Sequence, residues 1–220
     1  SFLFDVDGKR IMFDTGRSGR YLIHNMGALH IKADSVDAVV ISNPSIEHVG
    51  GLNAFMTNRT VPVDVYAVPE VWRCKRPFGK LISDDNAGGV HMRDAGSEWI
   101  QLTEHLFLSP VIGGGNEMAM VLRTNEGPMV FSARATEGIG STLWAVKDRF
   151  HIIRGLVGGI YMHKLKQPAV NGIASVITEE YSVKELYING CAGREGIQKL
   201  RDATSNDRIK DFFAGDELTF

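Results

Sequence analysis

The stretch from Val36 to Leu52 constrains this chain most. Val36-Asp37-Ala38-Val39-Val40-Ile41-Ser42 is short and nearly all apolar. That is the pattern of a strand covered on both faces. A polar loop follows at once, Asn43-Pro44-Ser45-Ile46-Glu47-His48, and leads into Val49-Gly50-Gly51-Leu52. Val49 to Met56 suits a helix start or a compact turn. Glu47 is a candidate general base, and otherwise a carboxylate paired with a neighbouring arginine. His48 is a candidate metal ligand, and otherwise a core histidine that hydrogen-bonds the loop.

Around this stretch the pattern alternates between strand and helix. Residues 1–6 and 10–14 are apolar-rich runs separated by Asp7-Gly8, a hairpin signal. Residues 19–29 have helical spacing, with Leu22, Ile23, Met26 and Leu29 on one face. Strands are expected at 61–68, 106–111, 118–124, 129–132, 152–157, 185–189, 209–213 and 217–220. Helices are expected at 138–148, 169–181 and 193–202. Gly113-Gly114-Gly115 reads as a hairpin turn, since it opens no helix that could cradle a phosphate. Residues 69–100 read as irregular and as a lid or insertion. Trp72, Arg73, Lys75, Arg76, Phe78 and Lys80 lie there, a mix that suits a planar anion, a protein contact or a solvated face. The order of elements suits a sheet pair flanked by helices.

The flanks of the loop carry a resemblance. Phe4 to Gly16, Ser35 to Ser42 and the loop itself are similar to the metallo-β-lactamase superfamily, whose loop reads Ser-His-x-His-x-Asp-His before x-Gly-Gly-Leu. Within it the chain most resembles the branch of dihydropteroate-synthase-like enzymes of methanopterin biosynthesis. The branch motif Thr-Gly-Cys-Ser-His-x-Gly-Ile is matched by Ser132-Ala133-Arg134-Ala135-Thr136-Glu137-Gly138-Ile139. Gly-Gly-Phe-His-Leu is matched by Gly158-Gly159-Ile160-Tyr161-Met162, and His-Cys-Thr-Gly by Gly190-Cys191-Ala192-Gly193. Ala214-Gly215-Asp216 matches the closing turn.

The resemblance implies a single α/β domain over 1–220, a four-layer αββα sandwich of the metallo-β-lactamase type. It also implies where metal ligands should stand. Asn43, Ser45, Thr136, Tyr161 and Gly190 occupy histidine positions, Glu47 an aspartate position, and only His48 is kept. Zinc takes three or four His, Cys or carboxylate ligands. The expectation is therefore a chain without the two-metal centre and with no cofactor, the alternative being one zinc or other divalent ion on His48, Glu47 and His163. Asp14 is expected to support the loop by hydrogen bonds, as the family's aspartate does from behind the metal ligands. Arg134 and Arg194 lie inside former ligand motifs and are expected to replace part of the lost positive charge and bind an anion. Arg17 and Arg20, which open a helix, are weaker candidates. His91, His105 and His163 share no ligand spacing with one another.

Two functional readings follow. One is a metal-free protein that binds a small anionic or phosphorylated ligand, or a partner protein, through Asn43, Ser45, Thr136, Tyr161, Asp14 and the two arginines. The other is a hydrolase or transferase with a reduced or rebuilt one-metal site using Glu47 and His48. A net charge of −2 over 220 residues gives no general attraction to nucleic acid or to an anionic membrane. The two cysteines, Cys74 and Cys191, lie far apart, which points to a reducing cytoplasm rather than to a disulfide framework. The chain opens on a strand-like run, so either a short upstream segment precedes it or it begins at its first hairpin.

Overall fold

The computed structural model describes residues 1–73, 81–188, 193–204 and 208–220. They divide into two compact units, Ser1–Glu98 and Trp99–Phe220.

The first unit runs β1 (Phe2–Val6), β2 (Lys9–Phe13), α1 (Gly19–Ala28), β3 (Ala38–Val40), α2 (Ile46–Val49), α3 (Leu52–Thr57), β4 (Val63–Ala67), α4 (Pro69–Arg73), α5 (Asp84–Ala87) and β5 (Val90–Asp94). Its sheet has the order β1-β2-β3-β4-β5, with an antiparallel first pair and parallel pairs thereafter. Asp7 and Gly8 both take positive φ, 54° and 71°, which matches the right-handed twist of the flanking strands. All three residues of β3 are buried, as a strand covered on both faces requires. Phe13, Ile41, Leu52 and Phe55 are fully buried in this unit.

The glycine pair after the loop has a steric reason. A Cβ on Gly50 would overlap the carbonyl of Arg17, and one on Gly51 the carbonyl of Thr15. The Gly51 N–H donates to the Gly16 carbonyl at 3.1 Å. Two bare backbones therefore touch where the loop meets the end of β2, and side chains would hold them apart.

The second unit runs β6 (Ile100–Gln101), β7 (Leu106–Leu108), β8 (Met120–Thr124), β9 (Gly127–Ser132), α6 (Ile139–Phe150), β10 (Gly155–Gly158), α7 (Gln167–Ser175), β11 (Glu185–Ile188), α8 (Arg194–Ala203) and β12 (Ile209–Lys210). Its described strands are ordered β12-β11-β10-β9-β8-β7-β6, antiparallel from β6 to β9 and parallel from β9 to β12. Its core joins Val130, Leu156 and Leu186 of the sheet to Ile139, Leu143 and Val146 of α6.

Several elements differ from expectation. Residues 69–100 are not irregular throughout, because they hold α4, α5 and β5, and β5 extends the sheet beside β4. From His91 to Asp94 the side chains of β5 are exposed, so no apolar alternation announces it. The strand expected at 152–157 begins at Gly155, after the exposed Ile152. The helix expected at 169–181 ends at Ser175 and widens into a π turn over Val176–Glu180. Residues 217–220 are not a strand. There Phe220 meets Phe131 and Tyr187 edge-on, at 6.1 and 5.7 Å between ring centroids, so aromatic packing stands where a ladder was expected. Gly113 and Gly114 take positive φ in a loop longer than a tight hairpin, closed by an Ile112 N–H donating to the Glu117 carbonyl at 2.9 Å.

Candidate functional site

In the first unit the loop is organised by Asp14, which ends the β2 segment with φ 61°, an uncommon value for a residue other than glycine. Its carboxylate is buried and accepts three hydrogen bonds: from Ser42 N–H at 2.7 Å, from Ser42 Oγ at 2.8 Å and from His48 Nδ1 at 2.7 Å. A carboxylate acceptor assigns the proton of this bond to Nδ1, and in the neutral imidazole Nε2 is then the bare lone pair. His48 is 5% exposed, and its Nε2 has no hydrogen-bond partner among the described residues. The backbone of the same residue is clamped, its carbonyl accepting from Thr15 N–H at 2.7 Å and Thr15 Oγ at 3.0 Å.

The neighbouring polar groups are turned on one another. Asn43 Oδ1 accepts from Ser45 N–H at 2.9 Å and from Ser45 Oγ at 2.7 Å, and Asn43 Nδ2 donates to Ser42 Oγ at 3.3 Å. This is an Asx turn, which lets the loop leave the strand end without further support. Glu47 is exposed in the short helix α2. Arg17 and Arg20 are exposed at the start of α1. His91 Nδ1 lies 3.3 Å from Asp64 Oδ1 on the sheet, with Arg93 on the same carboxylate at 3.1 Å.

In the second unit the organising residue is one that sequence reasoning passed over, Glu117. It is 5% exposed. Its carboxylate accepts from the backbone N–H groups of Arg134 and Ala135 at 2.8 Å each and of Thr136 at 2.9 Å, and from Thr136 Oγ at 2.7 Å. Ala135 takes φ 52°, so three successive N–H groups converge on one anion. A carboxylate standing between a glycine turn and the wholly buried run Met118–Val121 was the available signal, because an acid at such a position must be satisfied from within.

The loop that Glu117 pins is also held from its other edge. The carbonyls of Ser132 and Arg134 accept from Gly159 N–H at 2.9 Å and Tyr161 N–H at 2.7 Å. Gly158 has φ 115°, and a Cβ there would overlap the Ser132 carbonyl, so only glycine permits this approach. The result brings Arg134 and Tyr161 together, with the guanidinium carbon 4.6 Å from the ring centroid. The rings of Tyr161 and His163 follow at 6.5 Å, tilted by 47°. Arg194 is exposed at the first position of α8. Gly190 and Cys191, like Cys74, Lys75, Arg76, Phe78 and Lys80, lie outside the described residues, whereas Trp72 and Arg73 close α4. No helix among the described residues is long and apolar enough to cross a membrane.

Comparison with known proteins gives a coherent result. The sequence profile of the metallo-β-lactamase superfamily matches residues 1–154. A curated relative from Methanocaldococcus jannaschii, 7,8-dihydropterin-6-methyl-4-(β-D-ribofuranosyl)-aminobenzene-5′-phosphate synthase, is 31% identical over 77 residues, 33% of this chain. The aligned part spans about a quarter of that relative's length, 26%. Among solved structures, a metal-dependent hydrolase of the β-lactamase superfamily superposes with a TM-score of 0.76 at 20% identity, covering 96% of this chain and 88% of its own. That match shows the α/β sandwich fold expected from the sequence.

Proposed function

The chain belongs to the metallo-β-lactamase superfamily, and from that premise we propose that it binds a small anionic ligand without the two-metal hydrolytic centre. The observation that carries this reading is the occupation of the substituted positions. Asn43 Oδ1 is spent on Ser45, and Thr136 Oγ on Glu117. These groups are bonded within their own loops and offer no ligand shell. Glu47 is exposed in solvent. Among the described residues of the loop only His48 Nε2 is a buried donor atom free to bind, and one donor does not make the three or four that zinc requires. The donor set of this loop therefore does not fit a dinuclear centre. The nature of the ligand rests on the curated relative, whose name specifies a ribofuranosyl-aminobenzene 5′-phosphate joined to a dihydropterin.

The same unpartnered Nε2 favours a second reading. His48 oriented by Asp14 through its other nitrogen is the arrangement that supports a metal-bound imidazole. A single divalent ion there, with Glu47 turned inward, makes a reduced one-metal site. Titration calorimetry of the metal-stripped chain with zinc separates the readings. The binding-protein reading expects no uptake tighter than ~0.1 mM, the affinity of a few weak surface contacts. Submicromolar uptake of one ion that His48→Ala abolishes supports the one-metal reading, and uptake of two ions overturns the proposal.

A further inference from the structure

We propose that Arg134, laid on the face of Tyr161, is the seat of the ligand's anionic group, and that the ligand is a planar aromatic ring bearing a phosphate. This rests on the binding-protein reading above and deepens it by naming the seat and the ligand class.

The first observation is an unspent cation. Among the described residues no carboxylate pairs with the Arg134 guanidinium, and its N–H groups make no hydrogen bond there; its recorded side-chain contact is with the Tyr161 ring. Arg154 and Arg201 of the same unit are engaged by carboxylates, Arg154 by Glu185 and Glu126 and Arg201 by Asp211, while Arg149 lies over Trp99, Phe107 and Phe150. A guanidinium held over a ring at this distance still has N–H groups for bidentate recognition of a phosphate, since the contact with the ring uses none of them as a hydrogen-bond donor to oxygen.

The second observation is preorganisation. Glu117 fixes the N–H edge of residues 134–136, while Gly159 and Tyr161 fix the carbonyl edge. The backbones that carry Arg134 and Tyr161 are joined directly by the Tyr161 N–H donating to the Arg134 carbonyl at 2.7 Å. The order needed to present the cation is therefore established on folding rather than on binding. Glu117 acts here as a positioning residue, since it touches the loop and not the ligand.

The third observation is aromatic surface beside the cation. Tyr161 is 41% exposed, and the exposed His163 ring follows it. A bare phosphate needs neither ring. A ligand that carries its phosphate on an aromatic ring uses the guanidinium edge and the ring surface together.

The test uses the full chain after dialysis against chelator, with phenyl phosphate, inorganic phosphate and phenol as probes in titration calorimetry. Phenyl phosphate is expected to bind more tightly than inorganic phosphate, and phenol not to bind. Arg134→Gln is expected to weaken phenyl phosphate by ~10-fold or more, the usual worth of a charge-assisted contact. Arg134→Lys should lose nearly as much, because the planar fork is lost although the charge remains. Tyr161→Leu should reduce the preference for phenyl phosphate over inorganic phosphate. Glu117→Gln should weaken phenyl phosphate in a chain that still folds. If that variant does not fold, the half-exposed Arg134 variants carry the decision. Unchanged binding in Arg134→Gln, or no binding of phenyl phosphate by the folded wild type at ~10 mM, overturns the inference. Metal content measured on the chain as purified, before the chelator step, keeps the two claims apart. Two ions per chain overturn the binding-protein reading whatever the titrations give, and a metal-free chain indifferent to phenyl phosphate overturns this inference alone.

Discussion

Replacing Asp14 by asparagine tests the logic of the loop with a change of one atom. The carboxylate accepts three buried hydrogen bonds, from Ser42 N–H, Ser42 Oγ and His48 Nδ1. Asparagine tolerates the positive φ of 61°, so backbone strain does not enter the comparison. Its carbonyl keeps the bond to the Ser42 N–H, while its amide nitrogen then faces His48 Nδ1 and the Ser42 hydroxyl. Two donors cannot face each other, so the imidazole proton must move from Nδ1 to Nε2, and the Ser42 hydroxyl must turn. Charge-assisted bonds are worth roughly 1.5–3 kcal/mol and neutral ones about 1. Three bonds downgraded from charged to neutral, the retained Ser42 N–H bond included, therefore cost on the order of 2 kcal/mol. For a chain of this size that lowers the midpoint of thermal unfolding by about 4–8 °C. The assay is nitrogen NMR of the histidine ring together with a thermal melt. The account expects an Nδ1–H tautomer in the wild type, an Nε2–H tautomer in Asp14→Asn, and the stated loss of stability. An Nε2–H tautomer already present in the wild type would refute the reasoning, since the bare Nε2 would then not exist.

Two further outcomes follow from local geometry. Gly50→Ala pushes a methyl group into the Arg17 carbonyl and is expected to destabilise the chain by about 1–3 kcal/mol, the usual cost of overpacking, whereas Gly8→Ala meets no atom within 4 Å and should cost only the strain of its positive φ; equal melting points for the two variants would count against this packing. Glu185 is pushed up by burial, but hydrogen bonds from Arg154, Lys210 and Tyr187 outweigh that and hold its carboxyl below the usual range. A folded pKa below the unfolded one contributes stability that is present above the unfolded value of about 4.3 and is lost as pH falls through the folded value. Acid unfolding should therefore be less steep in Glu185→Gln, and an unchanged acid profile would contradict the assignment.

How far the sequence could be read depends on how local each cause is. Asp7-Gly8 makes its turn from its own two backbones, so the first hairpin is legible in two residues. The strand before the loop is legible because burial on both faces leaves only apolar side chains, although it begins at Ala38 rather than Val36. Gly50 and Gly51 are legible as glycines, but their reason, the backbone of Thr15 to Arg17, lies far back in the sequence, before the whole of α1 and β3. β5 was hidden because its exposed side chains carry no alternation, and what makes it a strand is the neighbouring backbone of β4. Glu117 was hidden for a related reason. Its partners stand 17 to 19 residues later and are backbone N–H groups, which leave no mark in side-chain chemistry. The substitutions at Asn43, Ser45 and Thr136 were visible as identities. What each is bonded to is a property of the folded loop, and the spacing along the chain is silent on it.

Anomalous diffraction from crystals soaked in zinc, recorded on both sides of the zinc edge, reads directly whether the loop holds a dinuclear centre. The account predicts no pair of peaks at the loop from Asn43 to His48. A single peak within ~2.1 Å of His48 Nε2, the ordinary zinc–imidazole distance, would favour the one-metal reading over the binding protein. Two peaks bridged by residues of that loop would contradict the account outright.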